Sequence, residues 1–305
     1  MLVIVGYGDH VKRNIVPALS AMGKRVGYVV VPTKDRVVAF PEAIICHDFA
    51  EAVADHSVSA VYIATPIASH FTYVEAAIRA GKPVLCEKPL TANLRDTTAL
   101  IELASKEGVK LQEVVMYQYH RQFRWIQEFM SQEQYGQLRK VHACFQIPHL
   151  SENNIRYSQE KGGGALLDLG FYPLSMITSL LGAPRNASSS VLGQQGYSVN
   201  LSGAALLNYD RCYGLAEWGI GRIYRNEVVL EFEDKQVTLE RAFSKPGTMR
   251  TNARIDMADG ETSVTEIPAD DHFERLFNDF LDSKELDSQH LDSILMRAKI
   301  MHDLQ

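Results

Sequence analysis

One lysine lies where it could act on an oxygen atom of a bound molecule. Lys88 follows an apolar stretch that ends at Cys86, and Pro89 comes directly after it. Proline restricts the residue before it to an extended backbone, so the lysine ammonium would be presented from a stiff support. A cation fixed in this way stabilises negative charge on a reacting oxygen. The alternative interpretation is an ordinary solvated charge at the end of a strand.

A second reactive group follows a run of glycines. Residues 162–164 are all glycine, and Asp168 and Tyr172 come shortly after them. Residues four apart share one face of a helix, so the carboxylate and the phenol would point together into a cleft. The alternative is that the two side chains only form a hydrogen bond on the helix surface.

The N-terminus contains the start of a dinucleotide-binding turn. Gly6 and Gly8 directly follow a predicted strand, and Asp9 and His10 occupy the rest of the turn. Glycines permit a tight bend there and let the backbone approach a pyrophosphate at the next helix N-terminus. The third glycine of the full motif is replaced by Val11. A plain strand-to-helix turn therefore remains an alternative.

The residues after the second predicted strand favour NADP(H) over NAD(H). A site that prefers NAD usually has Asp or Glu at the end of this strand, where it binds the ribose 2′-hydroxyl. Here the acid is absent or displaced to Asp35, and Thr33, Lys34 and Arg36 would receive a 2′-phosphate. The alternative is that Lys34 and Arg36 are solvated charges.

An α/β domain with a parallel sheet is predicted over residues 1–118, because short apolar runs alternate there with helical patterns. The predicted strands are residues 2–5, 26–31, 43–46, 60–64, 83–86 and 109–116, and predicted helices cover 71–80 and 94–107. Open sheets of this kind bind ligands at the carboxyl ends of their strands. The motifs around residues 6 and 88 lie at such ends.

A second domain, an α+β domain with a largely antiparallel open sheet, is predicted over residues 119–305. Its predicted strands are residues 141–147, 189–193, 201–208, 213–219, 227–232, 237–243 and 262–267. Its predicted helices are residues 122–130, 165–181, 270–280 and 291–304. Such a run of strands after alternating elements indicates a separate antiparallel unit.

Composition excludes several classes of function. The 305 residues include 31 Lys and Arg against 37 Asp and Glu, and a net charge of −6 does not favour nucleic acid. The four cysteines lie far apart, as reduced thiols of a cytoplasmic protein do. No apolar run approaches the roughly 18 residues of a membrane span, so no membrane partner is expected. His10, His47 and His142 show no metal-ligand spacing, so no metal is expected either.

Four motifs occur together in an order typical of one family. They are Gly6-Tyr7-Gly8, Ala64-Thr65-Pro66 with His70, residues 81–89 (G-K-P-V-L-C-E-K-P) and residues 163–170 (G-G-A-L-L-D-L-G). With these motifs the chain resembles the glucose-fructose oxidoreductase/inositol dehydrogenase (Gfo/Idh/MocA) family. The resemblance covers nearly the whole chain and weakens after about residue 185.

The resemblance implies a Rossmann domain followed by an α+β domain that assembles homodimers or homotetramers. It also implies hydride transfer between a nicotinamide and a carbonyl or hydroxyl carbon of a sugar or sugar-like substrate. Tyr172 occupies the position that is histidine in the inositol dehydrogenase branch, and the tyrosine branch commonly uses NADP(H). The cofactor-binding residues are then Gly6, Gly8, Asp9, His10, Thr33, Lys34, Arg36, Thr65, Pro66, His70, Glu87 and Lys88. The substrate-binding candidates are Tyr119, His120, Arg156 and Tyr157.

The resemblance assigns Lys88, Tyr172 and Asp168 to catalysis. As hydride reaches a carbonyl carbon, negative charge develops on its oxygen and a proton must arrive. Tyr172 would donate that proton, Lys88 would stabilise the phenolate, and Asp168 would orient the lysine or a substrate hydroxyl. The expected function is that of an NADP(H)-dependent oxidoreductase, with a nucleotide-linked keto-sugar as one candidate substrate. The alternatives are reduction of a non-sugar carbonyl or imine, and a non-catalytic dinucleotide-binding sensor.

Overall fold

The computed structural model describes residues 1–32, 39–132 and 136–305. The chain forms two compact units, and each unit is built from two stretches of the sequence. Unit 1 comprises Met1–Val115 and Phe273–Ala298, and unit 2 comprises Met116–His272 and Lys299–Gln305. Each unit contains one sheet.

Unit 1 contains a six-stranded sheet in the order β3-β2-β1-β4-β5-β6. The strands are β1 (Leu2–Val5), β2 (Val26–Val30), β3 (Ile44–Cys46), β4 (Ala60–Ile63), β5 (Val84–Cys86) and β6 (Leu111–Glu113). All neighbouring strands are parallel. This is the predicted Rossmann sheet, and its strand order brings the ends of β1, β4 and β5 side by side.

The helices of unit 1 begin and end at sequence signals. They are α1 (Val16–Ala21), which a wide π-type turn at Val11–Ile15 precedes, α2 (Phe49–Ala54), α3 (His70–Arg79) and α4 (Leu94–Glu107). For α4, the Asn93 side chain accepts a hydrogen bond from Asp96 N, and Gly108 ends the helix with a φ of 63°. A polar cap and a left-handed glycine are the usual helix boundaries, and α4 has the bounds that the sequence predicts.

Two C-terminal helices, α7 (His272–Asp282) and α8 (Ser288–Asp303), belong largely to unit 1. Leu291 and Ile294 of α8 are part of the core under the parallel sheet. The Phe277 ring contacts the Tyr62 ring with centroids 5.3 Å apart. The sequence prediction placed all of residues 119–305 in the second domain. The structure differs because periodicity shows that a helix has an apolar face and does not show which sheet covers it.

Unit 2 contains an eight-stranded sheet in the order β14-β13-β12-β11-β7-β10-β9-β8. Its strands are β7 (Leu138–Ile147), β8 (Asn186–Gly193), β9 (Asn200–Asn208), β10 (Tyr213–Ile220), β11 (Arg225–Phe232), β12 (Lys235–Glu240), β13 (Thr251–Met257) and β14 (Thr262–Ile267). Among the described strands of this sheet, only β7 and β10 pair in parallel, which confirms the predicted mostly antiparallel sheet. Strand β13 was not predicted, because its polar residues interrupt any apolar run.

Two helices of unit 2, α5 (Arg121–Met130) and α6 (Phe171–Leu181), complete the fold. A wide turn at Leu166–Gly170 leads into α6. The helical stretch Gln159–Leu181 has 23 residues, and its most apolar 18-residue window has a mean hydropathy of 1.3, long and apolar enough to cross a membrane. This differs from the sequence prediction that no apolar run approaches the length of a membrane span. Because 72% of its most apolar window is buried inside the protein, its composition also matches that of a core helix.

Candidate active site

The glycine turn after β1 has the geometry of a phosphate-binding turn. Gly6 has a φ of 89°, and a Cβ atom at this position would lie 2.6 Å from the carbonyl oxygen of Ala64. Any side chain at Gly6 would therefore strain the fold. A Cβ atom on Gly8 would meet nothing within 4 Å. The space beside Gly8 is open, as close approach of a pyrophosphate to the backbone requires.

Val11 replaces the third glycine of the motif without closing the turn. Its side chain is fully buried in the core of unit 1. The first turn of the helix here is of the wide π type, at Val11–Ile15, and Asp9 and His10 precede it at the helix N-terminus. The valine therefore points away from the phosphate side of the turn, and the residues present fit a dinucleotide.

His10 is linked to the segment that contains Lys88. His10 Nε2 lies 3.0 Å from Glu87 Oε1, and Asn14 Nδ2 lies 3.0 Å from His10 Nδ1. With the Asn14 amide as donor, Nδ1 accepts and Nε2 carries the proton that His10 donates to Glu87. The Tyr62 hydroxyl donates a second hydrogen bond to Glu87 Oε1 at 2.8 Å. The glycine turn and the end of β5 are thus held together by side chains.

The charge of Glu87 depends on these neighbours. Burial by itself would raise the pKa of the Glu87 carboxyl, but His10, the Tyr62 hydroxyl and Lys88 together hold that pKa below its ordinary value. Lys88 is 9% exposed, and its peptide bond to Pro89 is cis. The Lys88 charge is thus one of the groups that favour the ionised form of the Glu87 carboxyl.

The loop after β4 provides Thr65 and Pro66. In this loop Ser69 Oγ donates a hydrogen bond to Thr65 Oγ1 at 2.9 Å, so the hydrogen bond orients both hydroxyl groups. A Cβ atom on Gly6 would lie 3.1 Å from Thr65 Cγ2, so this loop borders the glycine turn. Thr65 and Pro66 therefore lie where the sequence analysis expects cofactor contacts.

His70 differs from its predicted role as a direct cofactor contact. It is 1% exposed, Nδ1 lies 3.1 Å from the Pro89 carbonyl oxygen, and Nε2 lies 2.9 Å from the Thr65 carbonyl oxygen. Burial lowers the pKa of His70. Both ring nitrogens face backbone, so His70 joins the loop after β4 to the loop after β5 and supports the site from inside.

The predicted 2′-phosphate residues Thr33, Lys34 and Arg36 lie outside the described residues. The strand before them, β2, ends beside the glycine turn, since Gly6 N donates to Val30 O at 2.9 Å. Their assignment therefore remains a sequence prediction.

In unit 2 the glycine run packs against the segment that contains Arg156. A Cβ atom on Gly163 would lie 2.5 Å from the Arg156 carbonyl oxygen, and Gly164 N donates to that oxygen at 2.9 Å. The Asn200 side chain accepts a hydrogen bond from Leu166 N at 2.8 Å. These close backbone contacts explain the glycines and fix the entry to the wide turn that contains Asp168.

Arg156 and Asp168 form an ion pair through the guanidinium Nε and carboxylate Oδ2. The Asp168 charge is the main cause that raises the pKa of Arg156, and Tyr172 and Tyr157 also contribute in that direction. Arg156 thus lies close to both predicted catalytic groups of unit 2. The sequence predicts that Arg156 meets substrate directly, and no local pattern indicates its pair with Asp168.

Tyr172 is oriented by aromatic side chains. Its ring meets the Phe145 ring edge-to-face with centroids 5.1 Å apart, and the Phe243 ring lies 5.6 Å away. The side chain is half-buried. The neighbouring rings therefore fix the orientation of the phenol ring, as the role of a proton donor requires.

His120 also differs from its prediction as a substrate contact. It is fully buried, and its Nδ1 accepts a hydrogen bond from Gln122 N at 2.9 Å as the N-cap of α5. It therefore has a structural role. Tyr119, beside it, is half-buried in a short helical turn at Met116–Tyr119.

Tyr157 lies in a group of aromatic and basic side chains that the sequence analysis did not find in full. Its hydroxyl accepts a hydrogen bond from Leu150 N at 2.9 Å, and its ring centroid lies 4.9 Å from that of Tyr197. His149 packs against Gly221, where an added Cβ would lie 2.5 Å from the imidazole. Both His149 and the neighbouring Arg222 are exposed. No local motif joins these residues, because they come from three separate loops.

The chain is similar to known proteins over nearly its whole length. Residues 1–114 match the family model described as an oxidoreductase family with an NAD-binding Rossmann fold, and residues 123–262 match the GFO/IDH/MocA C-terminal domain. A dTDP-3,4-didehydro-2,6-dideoxy-α-D-glucose 3-reductase of Streptomyces antibioticus is 34% identical, over 91% of this chain and 86% of the relative. An NADP-dependent D-xylose 1-dehydrogenase of Haloferax volcanii is 28% identical, over 69% of this chain and 66% of the relative.

Solved structures show the same similarity. The 3-ketoreductase KijD10 of Actinomadura kijaniata, in complex with NADP and TDP-benzene, has a TM-score of 0.94 and 26% sequence identity. The comparison covers 99% of this chain and 96% of KijD10.

Proposed function

Because the chain belongs to the GFO/IDH/MocA family of oxidoreductases, we propose that it is an NADP(H)-dependent reductase of a nucleotide-linked keto-sugar. The observation that carries the proposal is its 34% identity, over 91% of the chain, to a reductase of a dTDP-linked keto-sugar. Lys88, Asp168 and Tyr172 are present at the positions to which the resemblance assigns catalysis. This supports a catalyst rather than a sensor.

The proposed cofactor fits the residues present in unit 1. The pyrophosphate would lie against the open side of Gly8, at the N-terminus of the helix that follows. Thr65 and Pro66 border the same turn, and Lys34 and Arg36 would bind the 2′-phosphate. KijD10 contains NADP in its crystal structure, which supports NADP(H) over NAD(H). When bound, the cofactor supplies the hydride.

The residues of the chain would manage the proton and the developing charge. Tyr172 donates its phenolic proton to the substrate carbonyl oxygen as that oxygen becomes negative. Lys88 stabilises the negative charge, because its nearly buried ammonium interacts more strongly than it would in water. Asp168, held by Arg156, orients a substrate hydroxyl.

The nucleotide would bind the aromatic and basic group of unit 2. Tyr157 and Tyr197 offer ring faces for the base or the deoxyribose. Arg222 and His149 are exposed and offer donors for a diphosphate. An aromatic pair beside an exposed arginine and an exposed histidine matches the two chemical parts of a nucleoside diphosphate.

The first test is a titration of the purified protein with NADPH and with NADH, followed by nicotinamide fluorescence. We expect tighter binding of NADPH, and we expect the Lys34→Ala/Arg36→Ala variant to lose this preference. Equal binding of both cofactors by the wild type would contradict the NADP(H) assignment. Binding of neither would contradict the dinucleotide site itself.

The second test measures turnover of two candidate substrates. With NADPH present, we expect the protein to reduce dTDP-3,4-didehydro-2,6-dideoxy-α-D-glucose and to act poorly on free D-xylose. Equal activity on both compounds would contradict the nucleotide-linked substrate. Cofactor binding without turnover of any carbonyl compound would favour the sensor.

We also propose a cytoplasmic location and a homodimer or homotetramer. The cysteines support the first, since Cys46, Cys86, Cys144 and Cys212 are all free. Light scattering of the purified protein tests the second, and a monomeric mass would contradict it.

A further inference from the structure

The backbone next to Lys88 is held by two buried side chains. His70 Nδ1 lies 3.1 Å from the Pro89 carbonyl oxygen. One residue further on, Leu90 N donates to Glu113 Oε1 at 2.7 Å. Leu90 is 1% exposed, so without Glu113 its backbone N–H would lose this acceptor in a place that water does not reach.

Glu113 uses its two carboxylate oxygens for different partners. Oε1 accepts from Leu90 N, and Oε2 accepts from Arg297 Nε at 3.0 Å and from Arg297 Nη2 at 2.7 Å. The side chains of Arg297 and Glu113 are only 5% and 3% exposed. Arg297 belongs to α8, so a helix near the end of the sequence fixes the carboxylate that holds the Lys88 segment.

A second residue of α8 fixes the backbone of Glu113. Glu113 N donates to His290 Nε2 at 3.1 Å. Burial lowers the pKa of His290 to about 4, so the ring is neutral near pH 7 and its Nε2 can accept. The backbone and the side chain of Glu113 are therefore both oriented by α8.

Stability alone does not account for this arrangement. A buried ion pair is often no more stabilising than two apolar residues of similar volume, because removing two charges from water is costly. When a cation binds one oxygen of a carboxylate and a backbone N–H donates to the other oxygen, however, the carboxylate holds that N–H in a fixed direction. That property matters where a neighbouring side chain must be placed accurately.

We propose that Glu113 and Arg297 are positioning residues for Lys88, acting through the backbone N–H of Leu90. The inference rests on the proposed function, in which Lys88 stabilises charge on the substrate oxygen. Neither residue touches the reacting atoms in this scheme. They set the direction from which the Lys88 ammonium enters the site.

The test replaces Glu113 and Arg297 together, so that the net charge of the protein does not change. Glu113→Leu/Arg297→Met removes both charges and the acceptor for Leu90 N. Glu113→Gln/Arg297→Met also removes both charges but keeps an amide oxygen that can accept from Leu90 N. We expect the first variant to lose about 10- to 100-fold in kcat with unchanged NADPH affinity, and the second to recover part of that loss.

A buried lysine provides the matched control. Lys110 Nζ donates to the carbonyl oxygens of Phe280 at 3.1 Å and Ser283 at 2.9 Å. Lys110 is 7% exposed, and its bonds join the end of α7 to the residue that precedes β6. Lys110→Met should lower the melting temperature and leave kcat unchanged. Equal kcat losses in Lys110→Met and Glu113→Leu/Arg297→Met would overturn the proposal.

A readout without turnover separates this proposal from the proposed function. The pH dependence of covalent labelling of the Lys88 amine, measured by mass spectrometry, should change in Glu113→Leu/Arg297→Met and not in Lys110→Met. If the wild type reduces no keto-sugar, the proposed function fails and the labelling still decides the positioning role. An unchanged labelling profile in the double variant would overturn that role.

Discussion

The Lys88 region and the Tyr172 region hold their reactive groups by different means. Around Lys88, buried polar side chains bind the backbone of the two residues that follow the lysine, and Glu113 is 3% exposed. Around Tyr172, aromatic rings orient the phenol, and the Arg156 side chain in the adjacent ion pair is 38% exposed. The first arrangement fixes a direction through the backbone. The second leaves polar groups open to solvent, where a substrate can compete for them.

The largest effect should come from the two reactive groups themselves. We expect Tyr172→Phe and Lys88→Ala each to lower turnover by about 10²-fold or more, the usual scale of a proton donor or charge stabiliser. Steady-state kinetics with NADPH and a keto-sugar measures the loss.

Two control variants carry the same kinds of substitution at positions outside the candidate site. Tyr209→Phe removes a hydroxyl that bonds to the Gly182 carbonyl oxygen, and Lys106→Ala removes an exposed charge on α4. Both should keep wild-type turnover. Near-normal rates in Tyr172→Phe and Lys88→Ala would defeat the assignment of both regions.

The two glycines of the turn should separate binding from stability. Gly8→Ala adds a Cβ to open space, so the variant should fold normally but bind NADPH about tenfold or more weakly, because the methyl group keeps the pyrophosphate away. Gly6→Ala places its Cβ 2.6 Å from a carbonyl oxygen and should lower the free energy of unfolding by about 1–3 kcal/mol. Fluorescence titration and thermal melting give the two values. Normal NADPH affinity in Gly8→Ala would contradict the phosphate site.

The Arg156–Asp168 pair of the Tyr172 region should behave as one group. We expect Arg156→Gln and Asp168→Asn each to reduce kcat/KM, and the double variant to lose less than the product of the two single losses. A coupling of about 1 kcal/mol or more in a double-mutant cycle on kcat/KM would be typical of groups in contact. Additive losses would mean that Arg156 binds substrate independently of Asp168.

Sequence patterns predict those parts of the fold whose conformation is set by residues close together in the sequence. The bounds of α4 follow from a cap and a glycine, and the turn around Gly6 and Gly8 follows from a strand beside a glycine motif. Each signal arises within a few residues, since caps and tight turns are satisfied locally. The Rossmann sheet could therefore be predicted from the sequence.

Contacts between residues far apart in the sequence could not be predicted. His70 and His120 belong to motifs and were predicted to bind ligands, but tertiary contacts bury both side chains. The contact between Glu113 and Arg297 joins β6 to α8, and no spacing rule connects them. In one sequence, a polar residue of a motif looks the same whether it faces a ligand or supports a loop.

The last pair of effects concerns pH, and a histidine behind the Lys88 segment and a lysine of unit 2 should respond in different windows. Burial lowers the pKa of His290, behind the Lys88 segment, from 6.5 to about 4. The unfolded chain then binds a proton that the native chain does not, so the free energy of unfolding falls as the pH decreases from 6.5 to 4. His290→Gln should reduce this acid sensitivity.

In unit 2, burial lowers the pKa of Lys245 from 10.5 to about 7, against the opposing charge of Asp270. The native chain stays neutral at Lys245 where the unfolded chain is protonated, so this lysine lowers stability increasingly as the pH falls from 10.5 to 7 and fully below 7. Lys245→Met should therefore be more stable than the wild type at pH 7, and the difference should shrink toward pH 10. Melting temperatures of both proteins across this range measure it, because the other titrating groups cancel in the comparison. A difference independent of pH would mean that Lys245 is charged in the native protein and that Asp270 fully compensates its burial.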